Sequence, residues 1–472
     1  MLSAETVARE DLLLFLNAAF ACTGQGEFYS TADEQRVSVS FLHEYVRGNY
    51  RRLYARMLAA GVNDFNAAEI VFGLLSTGRD TSGELREEEN ALITAALRKL
   101  PPQRVWKLAG RLRRQRVNNR RTRALLRDFL SAHPDLTFQA VKYRRKVRSA
   151  ARHAHLHPPG ELPEFLFGDH KTPFQTPLLE TYRQARYSHE AVYKLPYSVA
   201  LGMASKHGIT SAKLLHRMQH QLTERERLRV QRQSGGAVNL RPERLPLTEL
   251  ASYLLTAGEV SPEQTGWLQR AARGVLEHCG GLILPVGQVA AVLDNSYSSS
   301  GSREKRARPL AAAFAVDELL REARPDETYR AFWTSPPAPG QRPAARGQSN
   351  LTERLLDALT WGARTILIVS DGVENDPPGA FHATLLAARR LYPGLSVLHF
   401  NPVFDAQALH VRSLSPLVPA IGLRNAEDLP TALGFAQYMV GGRDLQDLEA
   451  YLHRRTQFFT GGGTHANASP TP

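Results

Sequence analysis

The sequence predicts two architectures in one chain, an all-helical N-terminal region followed by an α/β domain. Before residue 280, apolar residues recur at three-to-four spacing in successive segments, which is the pattern of amphipathic helices. Beyond Gly280, near-continuous apolar strands such as GQVAAVLD and RTILIVSDG alternate with helical segments. Such alternation is typical of a parallel sheet covered by helices on both faces. We therefore predict a helical domain over residues 1–280, an α/β domain over 281–442, and a C-terminal helix with a disordered tail over 443–472.

The N-terminal region is predicted to be a run of short helices joined by tight turns. In SVSFLHEYVRGNYRRLYARMLAAGV, Tyr50, Leu53 and Met57 fall on one helical face. The segment NDFNAAEIVFGLLSTG begins with an Asn/Asp cap and ends at a glycine. In EEENALITAALRKLPP, acids occupy the first turn and basic residues the last, as the helix dipole favours. Helices of this length, stacked as antiparallel pairs, indicate a HEAT-like repeat architecture.

The composition indicates a globular protein of a reducing compartment. Of the 472 residues, 43% are hydrophobic and 22% are charged, which is the balance of a folded chain. The two cysteines, Cys22 and Cys279, provide neither a disulfide framework nor a zinc-binding spacing. The N-terminal segment lacks the basic region of a signal peptide, and no apolar run is long enough to span a membrane. We expect a cytoplasmic protein without membrane partners.

Two of the predicted strands end in an aspartate. In VAAVLDNSYS the strand is followed by Asp294, with Ser296 and Ser298 two and four residues later, and TILIVSDG ends at Asp371. The carboxyl ends of parallel strands meet at one edge of a sheet, where open α/β folds bind ligands. Carboxylate and hydroxyl oxygens suit Mg²⁺ or another hard divalent cation. A serine-rich turn without metal is the alternative, because aspartate and serine are common turn residues.

This pattern resembles the metal-ion-dependent adhesion site of von Willebrand factor A domains. The first motif of that family, Asp-x-Ser-x-Ser after the first strand, matches Asp294, Ser296 and Ser298. Another motif, an aspartate followed by glycine after an apolar strand, matches Asp371 and Gly372. The resemblance implies a Rossmann-like α/β fold for the C-terminal domain.

The remaining motif of the family is usually a threonine in a loop before a helix. Here the loop reads GQSNLTERLLDAL, so that Ser349 takes the matching position and Thr352 lies close by. The resemblance implies that a protein partner completes the metal coordination with a carboxylate, and it implies binding and not catalysis, so no enzymatic activity is expected. The implied metal ligands are Asp294, Ser296, Ser298, Ser349 and Asp371.

Positive charge is concentrated in one part of the helical region. The formal net charge is +13, and from Arg104 to Arg152 there are sixteen lysines and arginines but only two acids, Asp128 and Asp135. Concentrated positive charge on successive helices indicates contact with a nucleic-acid backbone. RNA is favoured over DNA, because no helix-turn-helix or zinc-finger pattern occurs and an extended helical surface suits single strands and irregular duplexes. A solvated helix face or a contact with an acidic protein is the alternative. The candidate RNA-binding residues are Arg111, Arg113, Arg114, Arg116, Arg120, Arg121, Arg123, Lys142, Arg144, Arg145, Lys146 and Arg148.

A basic helical-repeat region followed by an A domain resembles the Ro autoantigen family, the TROVE-module proteins. The resemblance implies a ribonucleoprotein that binds small noncoding Y RNAs or the ends of misfolded RNAs, with exoribonucleases as bacterial partners. It also implies that the segment RDLQDLEAYLHRRTQFF packs back on the helices. A different class remains open, namely the bacterial A-domain proteins that act as adaptors for AAA+ ATPases of the MoxR type. In an adaptor, the arginine cluster binds acidic protein and not RNA.

Overall fold

The computed structural model describes most of the chain. The described residues are 3–77, 81, 83–234, 240–257, 264, 266–324, 327–338, 340–439 and 443–461. The predicted disordered tail, FFTGGGTHANASPTP, begins too early, because Phe458, Phe459 and Thr460 end the helix Leu445–Thr460. Its residues 462–472 lie outside the described ranges. Contacts within the chain divide it into two compact units. One, here called the sheet unit, consists of Met1–Asn66 and Arg241–Pro472, and the other, here called the helical unit, consists of Ala67–Leu240.

Helices dominate the described chain before the first strand. Many begin at a side-chain cap, such as Thr31, whose hydroxyl accepts a hydrogen bond from the amide of Glu34. In chain order the helices are α1 (Ala4–Ala21), α2 (Ala32–Asn49), α3 (Arg51–Arg56), α4 (Asp64–Ser76), α5 (Gly83–Lys99), α6 (Pro102–Arg114), α7 (Arg120–Ala132), α8 (Leu136–Lys142), α9 (Arg144–Ala154), α10 (Leu162–Phe167), α11 (Pro177–Gln184), α12 (His189–Val192), α13 (Tyr197–Ala204), α14 (Ser211–Met218), α15 (Glu224–Ser234), α16 (Leu247–Thr256) and α17 (Trp267–Cys279). The predicted helical character of this region is confirmed.

The strands lie in the C-terminal part of the sheet unit and form one parallel sheet among the described residues. They are β1 (Val289–Leu293), β2 (Tyr329–Trp333), β3 (Thr365–Val369), β4 (Ser396–Asn401) and β5 (Ala420–Gly422), in the spatial order β2-β1-β3-β4-β5. Every residue of β1 and β3 is buried, as their continuous apolar sequences predict. The predicted α/β region with a parallel sheet is therefore confirmed.

Helices alternate with these strands. They are α18 (Arg308–Ala323), α19 (Leu351–Thr360), α20 (Ala380–Leu391), α21 (Leu429–Met439) and α22 (Leu445–Thr460). The apolar residues of α19 and α20, including Leu355 and Leu385, form one core cluster with Ile366 and Ile368 of β3. None of the helices in the described ranges combines the length and apolar character that a membrane span requires.

The sheet unit includes helices that precede the helical unit in the sequence and helices that follow it. α16 and α17 pack against α18, and α1 packs against β5, where the Asn17 side chain accepts a hydrogen bond from Gly422 N–H at 3.0 Å. α22 packs against α1 and α3. The compact units therefore do not follow the change of pattern at residue 280. Periodicity marks a change in secondary structure, whereas a compact unit is defined by long-range contacts such as these.

Candidate metal centre and candidate nucleic-acid interface

The two predicted carboxylate ligands lie at the same edge of the sheet. Strands β1 and β3 are parallel neighbours with Leu293 opposite Val369, and Asp294 N–H donates a hydrogen bond to Val369 O at 3.0 Å. Asp371 follows β3 after one further residue, Ser370. Both carboxylates are buried, at 4% exposure for Asp294 and 7% for Asp371. The strand register thus brings together two acids that are far apart in the sequence.

The serines predicted as metal ligands surround these carboxylates. Asp294 Oδ1 accepts a hydrogen bond from the Ser296 amide at 2.9 Å, and the hydroxyls of Ser296 and Ser298 lie 3.2 Å apart. Ser349 Oγ donates to Asp294 Oδ2 at 3.3 Å. The Ser298 side chain also interacts with Asp371 and lowers its pKa. The structure therefore brings all five predicted residues into one connected cluster of oxygens.

The structure also distinguishes Ser349 from its neighbour Thr352. Thr352 Oγ1 donates to Glu374 Oε1 at 2.6 Å, and Glu374 Oε2 accepts from the Phe381 amide at 2.9 Å, near the start of α20. Ser349 N–H donates to Asn375 Oδ1 at 2.9 Å. These bonds tie the two loops together and leave the Ser349 hydroxyl, and not that of Thr352, against Asp294.

Two side chains that the sequence motifs did not include support Asp294. Ser370 Oγ donates to Asp294 Oδ2 at 2.9 Å. Asn295 is fully buried and fixes the loop after β1, because its Nδ2 donates to Ser335 O at 2.9 Å and its Oδ1 accepts from Thr334 Oγ1 at 2.9 Å. Ser370 lies next to Asp371 in the sequence. Only the pairing of β1 with β3 shows that its hydroxyl binds Asp294 instead.

Gly372 is required by the close approach of another loop. Its φ is +79°, in the left-handed region, and a Cβ built there would lie 2.5 Å from Arg412 O. No side chain fits this position without moving the backbone. The close approach of Arg412 therefore explains why glycine follows Asp371 in this chain.

The electrostatics of the cluster fit a divalent cation. Burial, and next the negative charge of Asp294, raise the pKa of Asp371 to about 6. His399 of β4 brings no compensating charge, because its complete burial lowers its pKa to about 4. Among the described residues, no lysine or arginine forms an ion pair with either carboxylate. Two buried carboxylates without an ion-pair partner, with hydroxyls around them, form a donor set that suits Mg²⁺.

The described part of the chain has no group of three or more His, Cys, Asp and Glu side chains arranged to hold a metal. A cation at this edge of the sheet therefore depends on two carboxylates and on serine hydroxyls. All of these are hard oxygen donors, which favour Mg²⁺ over zinc or copper. Asp294 and Asp371 would be the only carboxylate ligands that this cluster offers to such a cation.

The positive charge of the chain belongs to the helical unit. Residues 67–240 contain 31 lysines and arginines against 15 aspartates and glutamates, a net charge of +16. The sheet unit contains 28 against 31, a net charge of −3. A compact unit with this excess attracts polyanions over its whole surface.

Some of the predicted RNA-binding residues are engaged in packing. Arg111 pairs with Glu69 and covers the ring of Phe72 at 3.7 Å. Arg121 pairs with the fully buried Glu89 at 2.8 Å. These two arginines stabilise the contacts of α6 and α7. Their guanidinium groups are therefore less available to phosphate groups.

Arg144 is also half-buried, because its guanidinium donates to Phe165 O at 2.9 Å. Lys142 lies 5.5 Å above the Phe138 ring, and Arg148 lies 5.8 Å above the Phe167 ring. Arg123 is partly buried as well. The predicted residues that are exposed to solvent are Arg113, Arg114, Arg116, Arg120, Arg145 and Lys146.

These exposed residues come from helices that pack on one another. α9 packs against both α6 and α7, and His153 of α9 hydrogen-bonds to Val117 O at 3.0 Å, in the turn between α6 and α7. Burial lowers the pKa of His153, and the charges of Arg113 and Arg123 lower it further, so both arginines lie near this turn. The end of α6, the start of α7 and the C-terminal end of α9 therefore lie together.

Comparison with models of known protein families gives no match for this chain. Comparison with curated proteins gives no match either.

Proposed function

We propose that this chain is a non-enzymatic RNA-binding protein of Ro type. The exposed arginines and lysines of α6, α7 and α9 contact the backbone of small noncoding or misfolded RNA. The sheet unit serves as a von Willebrand factor A-like domain that binds a protein partner through Mg²⁺ or a similar divalent cation. An exoribonuclease is one class of partner that such a protein would serve, and a cytoplasmic location suits this role.

The observation that carries the RNA proposal is the position of positive charge at helix N-termini. Among the exposed residues, Arg120 begins α7, and Arg145 and Lys146 lie in the first turn of α9. The helix dipole disfavours positive charge in the first turn. By contrast, the first turns of α2 and α22 contain acids, which the helix dipole stabilises. Positive charge that faces solvent at a position where the helix dipole disfavours it supports a role in binding an anionic ligand.

A solvated helix face explains this pattern less well. A face that needs only solubility can carry lysine, arginine and glutamate in mixture, as α5 does. The exposed residues at the α6–α7 turn are all of one sign over Arg113, Arg114, Arg116 and Arg120. Four arginines without intervening acids repel one another, so an anionic ligand would stabilise them.

The cluster at the edge of the sheet supports the metal part of the proposal. Asp294 and Asp371 would hold the cation directly, with the hydroxyls of Ser296, Ser298 and Ser349 as further ligands. A bound Mg²⁺ supplies a coordination position for an oxygen of the partner. The residues of this chain hold the donor atoms in place, through the bond from Ser370 Oγ to Asp294 and the bond from Val373 N–H to Asp371.

The experiment that tests the RNA proposal is purification of the protein from its own cells, followed by sequencing of the RNA that elutes with it. Affinity for one recovered RNA is then measured over a range of salt concentrations. We expect a steep loss of affinity with salt, because phosphate contacts release counterions. Absence of bound RNA, together with weak and salt-insensitive binding, would contradict the proposal and favour the adaptor of an AAA+ ATPase.

A further inference from the structure

Three exposed aromatic side chains form a cluster beside the candidate metal centre. Phe28 and Tyr29 belong to the loop between α1 and α2, and Tyr297 belongs to the loop after β1. The rings of Phe28 and Tyr29 are 4.9 Å apart and those of Phe28 and Tyr297 are 6.0 Å apart, both edge to face. Their exposed fractions are 37% for Phe28, 47% for Tyr29 and 66% for Tyr297. Apolar surface of this kind, gathered at one place, indicates an interaction site.

The aromatic cluster adjoins the predicted metal ligands directly. Tyr297 lies between Ser296 and Ser298 in the sequence. The Tyr29 hydroxyl interacts with the Ser298 side chain, which affects its pKa, and Tyr29 also lines a crevice with Asp371 and Arg412. A molecule that reaches the metal from this side therefore touches the rings as well.

The loop that carries Phe28 and Tyr29 is held firmly against the sheet unit. Gly26 N–H donates to Glu304 Oε2 at 3.1 Å, and Ser302 Oγ donates to Gly26 O at 2.7 Å. Glu27 forms a buried ion pair with Lys305. Because these bonds fix the loop before any partner arrives, little conformational entropy is lost when the rings are covered.

The charges around the crevice favour a protein carboxylate over a nucleic acid. Glu27 is paired with Lys305, and Asp405 is paired with Arg412. With a divalent cation between Asp294 and Asp371, the crevice is close to neutral, with apolar rings at its rim. A single carboxylate next to apolar side chains complements such a surface. A polyanionic backbone needs several unpaired cations, which the helical unit offers and this crevice does not.

We propose that Phe28, Tyr29 and Tyr297 form the docking surface for an acidic segment of a partner protein. The Asp or Glu carboxylate of that segment completes the coordination of the metal, and an apolar side chain next to it packs on the three rings. This inference rests on the metal centre of the proposed function. It adds a contribution from the N-terminal segment, which the metal motifs do not include.

The test begins with a displayed library of random short peptides, selected on the full-length protein in Mg²⁺ and eluted with EDTA. We expect the enriched peptides to contain Asp or Glu beside an aromatic or aliphatic residue. One such peptide is then synthesised with its acid intact and with the matching amide. Its affinity is measured for wild type, Asp294→Ala, the double variant Phe28→Ala/Tyr297→Ala, and the control Phe458→Ala, which removes a ring that is 54% exposed on α22.

We expect the double variant to weaken binding of the acidic peptide by about tenfold or more, because aromatic anchors dominate interface energies. The control variant should bind the acidic peptide like wild type. The amide peptide should bind neither the wild type nor the control variant. Mn²⁺ uptake, followed by the electron paramagnetic resonance signal of free Mn²⁺, should be normal in the double variant and lost in Asp294→Ala.

The possible failures are distinguishable. If the double variant binds the acidic peptide like wild type while Asp294→Ala does not, the docking surface is wrong and the metal centre stands. If wild type takes up no Mn²⁺, the metal centre itself is wrong, and this inference falls with it. If no acidic peptide is enriched, or if a single-stranded oligouridine binds in Mg²⁺ and loses its affinity in the double variant, the partner is not an acidic protein segment.

Discussion

The two compact units of this chain are both rich in helices but differ in where they place charge. The helical unit has a net charge of +16 and begins α7 and α9 with arginines. The sheet unit has a net charge of −3, begins α2 and α22 with acids, and buries two carboxylates at one edge of its sheet. The difference shows that each unit keeps like charges together where helix dipoles or burial disfavour them. We infer that each of these places binds a ligand of opposite charge.

The largest expected effect comes from charge reversal in the helical unit. Arg113→Glu, Arg114→Glu and Arg120→Glu together should lower RNA affinity by about a hundredfold or more at low salt and reduce the salt dependence by about two to three counterions. The matched control reverses three exposed arginines of the sheet unit, Arg303, Arg330 and Arg390. Filter binding should show little change for the control.

Equal losses in the two triple variants would indicate general electrostatic attraction and would remove the distinction between the units. Circular dichroism of each variant checks that the fold is retained. Arg111 and Arg121 are left unchanged in this design, because their ion pairs with Glu69 and Glu89 support the packing.

The next largest effect concerns Asp371. Its pKa of about 6 lies above its usual value of 3.8, so the folded, metal-free protein takes up this proton before the unfolded chain does. The stability associated with this group is present below pH 4 and is lost as the pH rises through 6. Relative to Asp371→Asn, wild type should therefore lose roughly 2 kcal/mol of unfolding free energy between pH 4 and pH 7 in EDTA.

Urea unfolding of both proteins across this pH range measures the difference. Saturating Mg²⁺ at pH 7 should stabilise wild type and leave Asp371→Asn unchanged. A difference that does not vary with pH would show that neither burial nor the charge of Asp294 raises the pKa of Asp371 in the metal-free protein.

A smaller effect separates the two hydroxyls of the loop before α19. Ser349→Ala should lower Mg²⁺ affinity by about tenfold, because it removes an oxygen from the cluster. Thr352→Ala should leave that affinity unchanged, because the Thr352 hydroxyl binds Glu374 instead. Titration of each variant with Mg²⁺, followed by the thermal midpoint, provides the measurement. The opposite ranking would assign the motif position to Thr352.

The sequence predicted what depends on local pattern. Continuous apolar strands that end in Asp294 and Asp371 indicated the parallel sheet and the edge where these acids meet, because strand pairing follows from fold class. Ser296 and Ser298 follow the first of these strands directly, so their spacing placed both hydroxyls at the same edge. The class of architecture and the clustering of the five residues predicted as metal ligands could therefore be predicted.

The sequence could not show what depends on long-range contacts. Arg111, Arg121 and Arg144 look like Arg113 in the sequence, and only their packing partners separate them from the exposed arginines. Tyr29 reaches Ser298 across most of the chain, and no periodicity signals that approach. The same holds for α1, which covers β5 although it lies at the other end of the sequence.

The central claim is that RNA binds to the helical unit and that the metal edge of the sheet unit serves another ligand. Ultraviolet crosslinking of a bound RNA, followed by mass spectrometry of the crosslinked peptides, tests this claim most directly. We expect the crosslinks to fall between Arg104 and Arg152, on the helices that carry Arg113, Arg120 and Lys146. Crosslinks concentrated at Phe28 and Tyr297 would contradict the claim and would place the RNA at the metal edge.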